Sequence, residues 1–176
     1  MILSDTISAI ATPNGEGGIG IIRLSGPLAI PISTVLFHPS RQISDIKSYT
    51  IHHGQVIDPE SNQVVDEVLL NVFRSPNSYT TEAMVEFNCH GGSIILRHVL
   101  ELTLKHGARI ADPGEFTKRA FLNGRIDLAQ AEAVIDLIQA KSDIARQMAV
   151  DQLGGKLSQT IESINDQIIG LLAETE

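Results

Sequence analysis

The hydrophobic periodicity of the chain changes type near Glu115, and this change limits the folds open to it. Before Glu115, β-branched runs alternate with turn residues, and AMVEFNC (83–89) alternates apolar and polar positions as a half-buried strand does. After Glu115, apolar residues recur only at helical spacing. We therefore predict an α+β fold in which residues 1–118 form a mixed β-sheet with flanking helices and residues 119–176 form an α-helical arm.

Turn residues divide the first part into short elements. Pro27 or Pro31 can begin a helix that runs to about Phe37, because proline is favoured in the first helical turn. A second helix occupies 93–107 and ends at Gly107. The predicted strands, two of which form a hairpin around DPESNQ, are 6–12, 18–24, 48–57, 64–73, 83–89 and 108–111.

The second part carries explicit helix signals. Asp127 and Gln130 have the spacing of a capping box at the start of a helix. The last predicted helix has a heptad-like seam, which needs a partner, and we expect the helical region to continue; the seam residues are Leu157, Ile161, Ile164, Ile168 and Leu171.

Composition indicates a soluble protein of a reducing compartment. Apolar residues make up 43% of the chain and charged residues 19%, and no apolar run approaches the length of a membrane span. The N-terminus lacks the basic region of a secretory signal, and the single cysteine, Cys89, cannot form an internal disulfide. We expect a cytoplasmic protein with no membrane contact.

The net charge of −8 is concentrated in the helical arm, where residues 127–176 hold three bases against nine acids. Such a surface repels a phosphate backbone, which argues against this arm wrapping a nucleic acid.

Gly15, Gly17 and Gly20 fit the dinucleotide-binding pattern G-x-G-x-x-G. That pattern requires a helix after the glycines, whereas the residues that follow, IIRL, favour a strand. We reject a dinucleotide site and leave two interpretations open. The glycines either allow a tight link between two strands or let the backbone approach a ligand or a second subunit.

The sequence contains no recognisable motif for a phosphate-binding loop, a metal site or a catalytic nucleophile. The segment GGKLS (154–158) lacks the upstream glycine and the hydroxyl of a phosphate-binding loop. The pairs Cys89–His90 and His52–His53 lack ligand spacing, so we predict no metal site, an inert thiol and no catalytic residue.

Four polar features remain. Arg23 lies in an apolar strand and needs a partner. Glu86 faces solvent by simple alternation, or it accepts hydrogen bonds from a planar amidine-like edge such as a pterin or guanine. His90-Gly91-Gly92 lies at a strand-to-helix junction, where backbone N–H groups can hold an anion. Arg125, on a glycine turn, is a solvated cation or a second anion contact.

Three segments together resemble the MnmE (TrmE) family of bacterial tRNA-modification GTPases. They are DTISAIATPNGEGGIGIIRLSG, PNSYTTEAMVEFNCHGG and RIADPGEFTKRAFLNGRIDLAQAEAVIDLIQAKS, and their order and spacing make the resemblance specific. It implies an aminomethyltransferase-like folate-binding and dimerisation domain, followed by the first helices of a helical domain. The family's G domain, with GTP, Mg²⁺ and K⁺, and its C-terminal cysteine motif are not in these residues.

The resemblance also implies an activity and partners. Family members form homodimers through the N-terminal domain and act with the flavoprotein MnmG (GidA). Together they add a carboxymethylaminomethyl-type group to the wobble uridine of tRNA, using a formyl- or methylene-tetrahydrofolate.

By motif match, the implied folate-binding residues are Arg23, Glu86 and Arg125, and His90, Gly91 and Gly92 are candidate supporting residues. Other members can carry lysine at the position of Arg125. A stand-alone folate-dependent transferase and a pure dimerisation module stay open as alternatives.

Overall fold

The computed structural model describes residues 5–13, 15–41 and 47–175, apart from the side chains of residues 174 and 175. Its contacts divide the chain into two units, Met1–Phe116 and Thr117–Glu176. The first unit is a mixed sheet with helices and the second is helical, so the predicted α+β class is confirmed. The domain limits 1–118 and 119–176 stay a prediction, and residues 1–4, 14, 42–46 and 176 of those ranges lie outside the described residues.

The first unit is built on one seven-stranded sheet in the order β3-β4-β5-β6-β2-β1-β7. Every neighbouring pair is antiparallel except β1 and β7, which are parallel. The elements are β1 (Thr6–Ile10), β2 (Gly17–Ser25), α1 (Ala29–Leu36), β3 (Phe37–Pro39), β4 (Thr50–Asp58), β5 (Gln63–Phe73), β6 (Met84–Gly91), α2 (Ser93–Lys105) and β7 (Ala108–Ile110).

The region around α1 differs from its prediction in where the helix starts and in the strand that follows it. The helix begins at Ala29, between the two prolines considered, and Pro31 falls in its first turn. Proline is tolerated there because the first N–H groups of a helix have no partner within the helix. The predicted end at about Phe37 is confirmed to within one residue, because α1 ends at Leu36 and Phe37 is its C-cap. The sequence did not predict that Phe37 also opens β3 and pairs with Val56 of β4. A strand of three residues is too short to show periodicity in the sequence.

The core lies between one face of the sheet and the two helices α1 and α2. In β6 the predicted alternation is confirmed, because Val85, Phe87 and Cys89 are buried in this core. Burying one large apolar side chain contributes about 1.5–3 kcal/mol. The opposite face of the same strands carries polar side chains, among them Glu86 and Asn88.

The glycine-rich segment links two strands and leads into no helix, as expected. It connects the antiparallel strands β1 and β2, and Gly17 of β2 pairs with Gly91 of β6. A Cβ at Gly91 would collide with the carbonyl oxygen of Gly17, and one at Gly20 would collide with the Leu96 side chain. Two of the glycines therefore allow close packing around β2.

Two helices of the second unit begin at N-cap residues whose side chains accept a backbone hydrogen bond. The helices of this unit are α3 (Glu115–Leu122), which starts in the first unit, α4 (Leu128–Gln139), α5 (Asp143–Leu153) and α6 (Lys156–Thr175). The predicted capping box is confirmed, because Asp127 accepts from the Gln130 N–H at 2.8 Å and donates its own N–H to the Gln130 side chain at 2.9 Å. Gln130 also donates to the carbonyl of Leu153, which ties α4 to the end of α5.

The seam of α6 is largely exposed in the described chain. Its five apolar residues, predicted from their heptad spacing, have exposed fractions between 46% and 64%. No helix of the described segments combines the length and the hydrophobicity needed to cross a bilayer.

Candidate functional site

The candidate site is a row of side chains across the middle of the sheet, on the face away from α1 and α2. The strand register places Arg23 of β2 opposite Glu86 of β6, and Glu86 opposite Asn71 of β5. Paired residues of neighbouring strands project from the same face of a sheet. The register therefore brings together side chains that lie 15 and 48 to 63 residues apart in the sequence.

Arg23 and Glu86 form an ion pair. The Arg23 Nε donates to the Glu86 Oε1 at 2.8 Å, and the two side chains are 30% and 15% exposed. The guanidinium carbon of Arg23 also lies 5.5 Å from the ring centroid of Phe116, within the range of a cation–π contact. Arg23 thus has the partner that its place in an apolar strand requires, and both side chains are held in position.

The pair keeps unused hydrogen-bonding capacity. Within the described part of the chain, the structure assigns no hydrogen bond to Glu86 Oε2 or to the terminal nitrogens of Arg23. A carboxylate oxygen accepts hydrogen bonds, and guanidinium N–H groups donate them. The arrangement can therefore receive a planar ligand edge that donates to Glu86 and accepts from Arg23.

Asn71 was missed by the sequence analysis. Its Oδ1 is buried and has no hydrogen-bond partner among the described residues. One sequence signal could have pointed to it, since Asn71 interrupts the apolar run VLLNVF. Its place opposite Glu86 could not have been known without the register.

At the junction His90-Gly91-Gly92, the His90 N–H already donates a hydrogen bond to Asp66. His90 and Gly91 end β6, and Gly92 caps α2 without a side-chain hydrogen bond. Asp66, also missed from the sequence, accepts from the His90 N–H at 2.8 Å and contacts the His90 Nδ1 at 2.6 Å. This carboxylate, first through its hydrogen bond and then through its charge, raises the pKa of His90. Because the N–H is occupied and the neighbouring charge is negative, His90 itself is poorly placed to hold an anion, and the supporting role of the junction stays a prediction.

Arg125 belongs to the second unit. It follows Gly124, whose φ of +72° ends α3, and its N–H donates to the carbonyl of Ala120 at 2.9 Å. Its side chain is exposed on the turn before α4.

Cys89 fits the predicted inert thiol. It is buried in the core, and burial raises its pKa to about 12, so the thiolate is scarce at neutral pH. The described residues contain no group of three or more His, Cys, Asp or Glu side chains placed to hold a metal ion.

These features define a class of protein: an α+β domain with a row of polar side chains on an open sheet face, joined to a helical unit. Comparison with known families agrees. Residues 6–125 match the model of the GTP-binding protein TrmE N-terminus, and residues 128–176 match that of the MnmE helical domain. The chain belongs to the TrmE N-terminal family.

Several curated relatives are similar to this chain over almost its whole length. The tRNA modification GTPases MnmE of Staphylococcus haemolyticus and Staphylococcus epidermidis are each 51% identical over 98% of the chain. The protein of the same name from Staphylococcus aureus (strain JH9) is 52% identical over the same share. The chain spans 38% of the length of each of these relatives.

Proposed function

We propose that this chain is the N-terminal part of a tRNA-modifying GTPase and that it binds a reduced folate as one-carbon donor. The observation that carries the proposal is the Arg23–Glu86 pair, which is fixed by two contacts and keeps acceptor and donor atoms that bond to nothing else in the described segments. The family match and the names of the relatives support the wider assignment.

The chemistry of the pair suits the pterin ring of a folate. The amino-pyrimidine edge of a pterin presents two adjacent donors, a ring N–H and an amino group, beside a carbonyl oxygen. Glu86 can accept from the donors, and the terminal nitrogens of Arg23 can donate to the carbonyl. An ionised Glu86 makes these hydrogen bonds about twice as strong as neutral ones.

Arg125 is the third proposed contact, for a carbonyl or carboxylate group of the folate. A guanidinium pairs with carboxylates in a bidentate fork, which a lysine at this position cannot do. This role rests on the match to the family's motif.

The proposal extends to the protein that contains this chain. Its G domain would bind GTP with Mg²⁺ and K⁺, and together with the flavoprotein MnmG it would modify the wobble uridine of tRNA in the cytoplasm. The first unit would also form the homodimer. Support for that comes from Ile51 and Leu69, which are 66% and 45% exposed on the open face of the sheet. Exposed apolar groups on one sheet face are typical of protein interfaces.

Isothermal titration calorimetry with 5-formyltetrahydrofolate tests folate binding. We expect Glu86→Gln to weaken binding about tenfold to a hundredfold, since hydrogen bonds to a charged group are lost. Glu101→Gln is the matched control, because Glu101 is exposed on α2. Light scattering on the same samples should show the same oligomeric state for both variants.

The alternatives give different results. Absence of binding by the unmodified chain contradicts the folate proposal and favours a dimerisation module. Loss of the dimer in Glu86→Gln shows that Glu86 is an interface residue. Transfer of a one-carbon group by this chain alone favours an independent transferase.

A further inference from the structure

We propose that Asn71 is a further ligand-contacting residue of this site and that it selects for the amino-pyrimidine edge of the pterin. The inference rests on the proposed folate function and adds a contact on the other flank of Glu86. It starts from the buried Oδ1 of Asn71, which accepts no hydrogen bond from any residue in the described ranges.

A buried polar atom without a partner is uncommon in folded proteins and calls for a reason. The neighbouring Asn88 shows the ordinary case, because its Nδ2 donates to the backbone carbonyl of Leu69 at 3.1 Å. Asn71 lies on the same face of the sheet one row away, and the structure assigns its side chain no such bond within the described segments. An apolar residue at this place in the run VLLNVF would avoid the desolvation cost of a buried polar atom without a hydrogen bond. Stability of the fold therefore does not explain the asparagine.

The register explains what the amide can do. Arg23, Glu86 and Asn71 lie side by side on β2, β6 and β5, and neighbouring strands are about 4.8 Å apart. Glu86 is the acceptor in the middle, Arg23 supplies donors on one side, and the amide of Asn71 supplies a donor and an acceptor on the other.

This order complements a pterin. The edge of that ring presents a carbonyl oxygen, a ring N–H, an amino group and a ring nitrogen acceptor. With Glu86 on the two central donors and Arg23 on the carbonyl, the flank that carries the amino group and the ring nitrogen faces β5. There the Asn71 amide can donate to the ring nitrogen or accept from the amino group. A ligand with a different pattern on this flank loses that contact.

Calorimetry with two probes tests the role of Asn71. The probes are 5-formyltetrahydrofolate and its analogue in which oxygen replaces the 2-amino group. We expect Asn71→Leu to weaken binding of the first probe roughly fivefold to tenfold and to reduce the discrimination between the two. Asn88→Ala is the matched control and should keep both the affinity and the discrimination.

Thermal unfolding of the ligand-free protein separates this role from a structural one. Asn71→Leu removes a buried oxygen that has no partner in the described part of the chain. Its melting temperature should therefore lie between that of the unmodified chain and a value roughly 2–4 °C higher. A lower melting temperature with unchanged binding assigns Asn71 to the structure and overturns the inference. If Asn71→Leu fails to fold, Asn71→Ala replaces it in the same measurements.

The binding results also separate this inference from the proposed function. If the unmodified chain binds the folate and Glu86→Gln does not, while Asn71→Leu binds and discriminates normally, the inference fails and the folate site stands. If the unmodified chain binds neither probe, both fail.

Discussion

Replacing Gly91 by alanine tests whether the glycines of this protein serve close packing between strands. Gly91 is buried at the end of β6, where its backbone pairs with Gly17. An added Cβ would lie 2.8 Å from the carbonyl carbon of Gly17 and closer still to the carbonyl oxygen. These are backbone atoms held in the sheet, so no side-chain rotation can relieve the contact.

The expected cost follows from this geometry. Overpacking a well-packed site costs roughly 1–3 kcal/mol, and a clash with backbone belongs at the upper end of that range. In a chain of this size each kcal/mol lowers the melting temperature by roughly 2–4 °C. Gly91→Ala should therefore melt roughly 4–12 °C below the unmodified chain.

Gly92→Ala is the matched control. Gly92 has extended dihedral angles, φ −83° and ψ 133°, and its added Cβ would lie at an ordinary 3.6 Å from the Ile95 Cδ1. Alanine stabilises the fold by lowering the entropy of the unfolded chain, and it destabilises the fold because it is a weaker helix cap than glycine. These effects oppose each other, so we expect the free energy of unfolding to change by no more than about 0.5 kcal/mol.

Tyrosine fluorescence is the appropriate assay, because the chain has two tyrosines, no tryptophan, and both tyrosines lie in the first unit. Tyr49 packs edge-on against Phe73, with ring centroids 5.8 Å apart, so its emission should change when the sheet unfolds. Equal stability of Gly91→Ala and Gly92→Ala would refute the packing argument.

Three further predictions concern titration, capping and α6. Asp66 raises the pKa of His90, so the stabilisation from their pairing is complete below the ordinary histidine pKa and is lost as the pH rises through the raised value. In an NMR titration, Asp66→Asn should therefore lower the pH at the midpoint of the His90 transition. Hydrogen bonds from Ser158 and then from the Gln130 N–H lower the pKa of Asp127, so the stabilisation from this cap is complete above the ordinary carboxyl pKa and is lost as the pH falls through the lowered value. Asp127→Ala should therefore reduce the helical circular dichroism signal more at pH 7 than in acid, and an equal loss at both would contradict the role of the charge. Amide hydrogens of α6 should exchange faster than those of α4, because the seam of α6 is exposed while Ala133 of α4 is buried; slow exchange in a dilute sample would argue against this.

Local patterns were enough to predict much of the fold. Alternation identified β6, the capping box identified the start of α4, and the β-type residues after the glycines excluded a dinucleotide loop. Each of these signals lies within a few neighbouring residues, where backbone preference and side-chain spacing act directly. The missed strand β3 has three residues, and its pairing with β4 is a tertiary contact.

The candidate site could be predicted only in part, because its geometry depends on register. The resemblance indicated Arg23 and Glu86 separately, but their 2.8 Å contact joins residues 63 positions apart in the sequence. Asp66 reaches His90 across 24 positions and changes how the glycine junction is interpreted. No local pattern specifies which residues face each other across strands that are distant in the chain.

The same register sets the row of Arg23, Glu86 and Asn71 apart from an ordinary sheet face. A sheet face that served only to cover a core would carry paired or solvated polar groups, as Asn88 does through its bond to Leu69. The row of Arg23, Glu86 and Asn71 instead combines one short ion pair with a buried oxygen that has no partner among the residues the structure describes. Such a row is less stable alone than an apolar or fully paired one, and under the proposed function a folate that supplies the missing hydrogen bonds would gain that difference in binding free energy. Opposite effects of Asn71→Leu on stability and on binding therefore test the site as a whole.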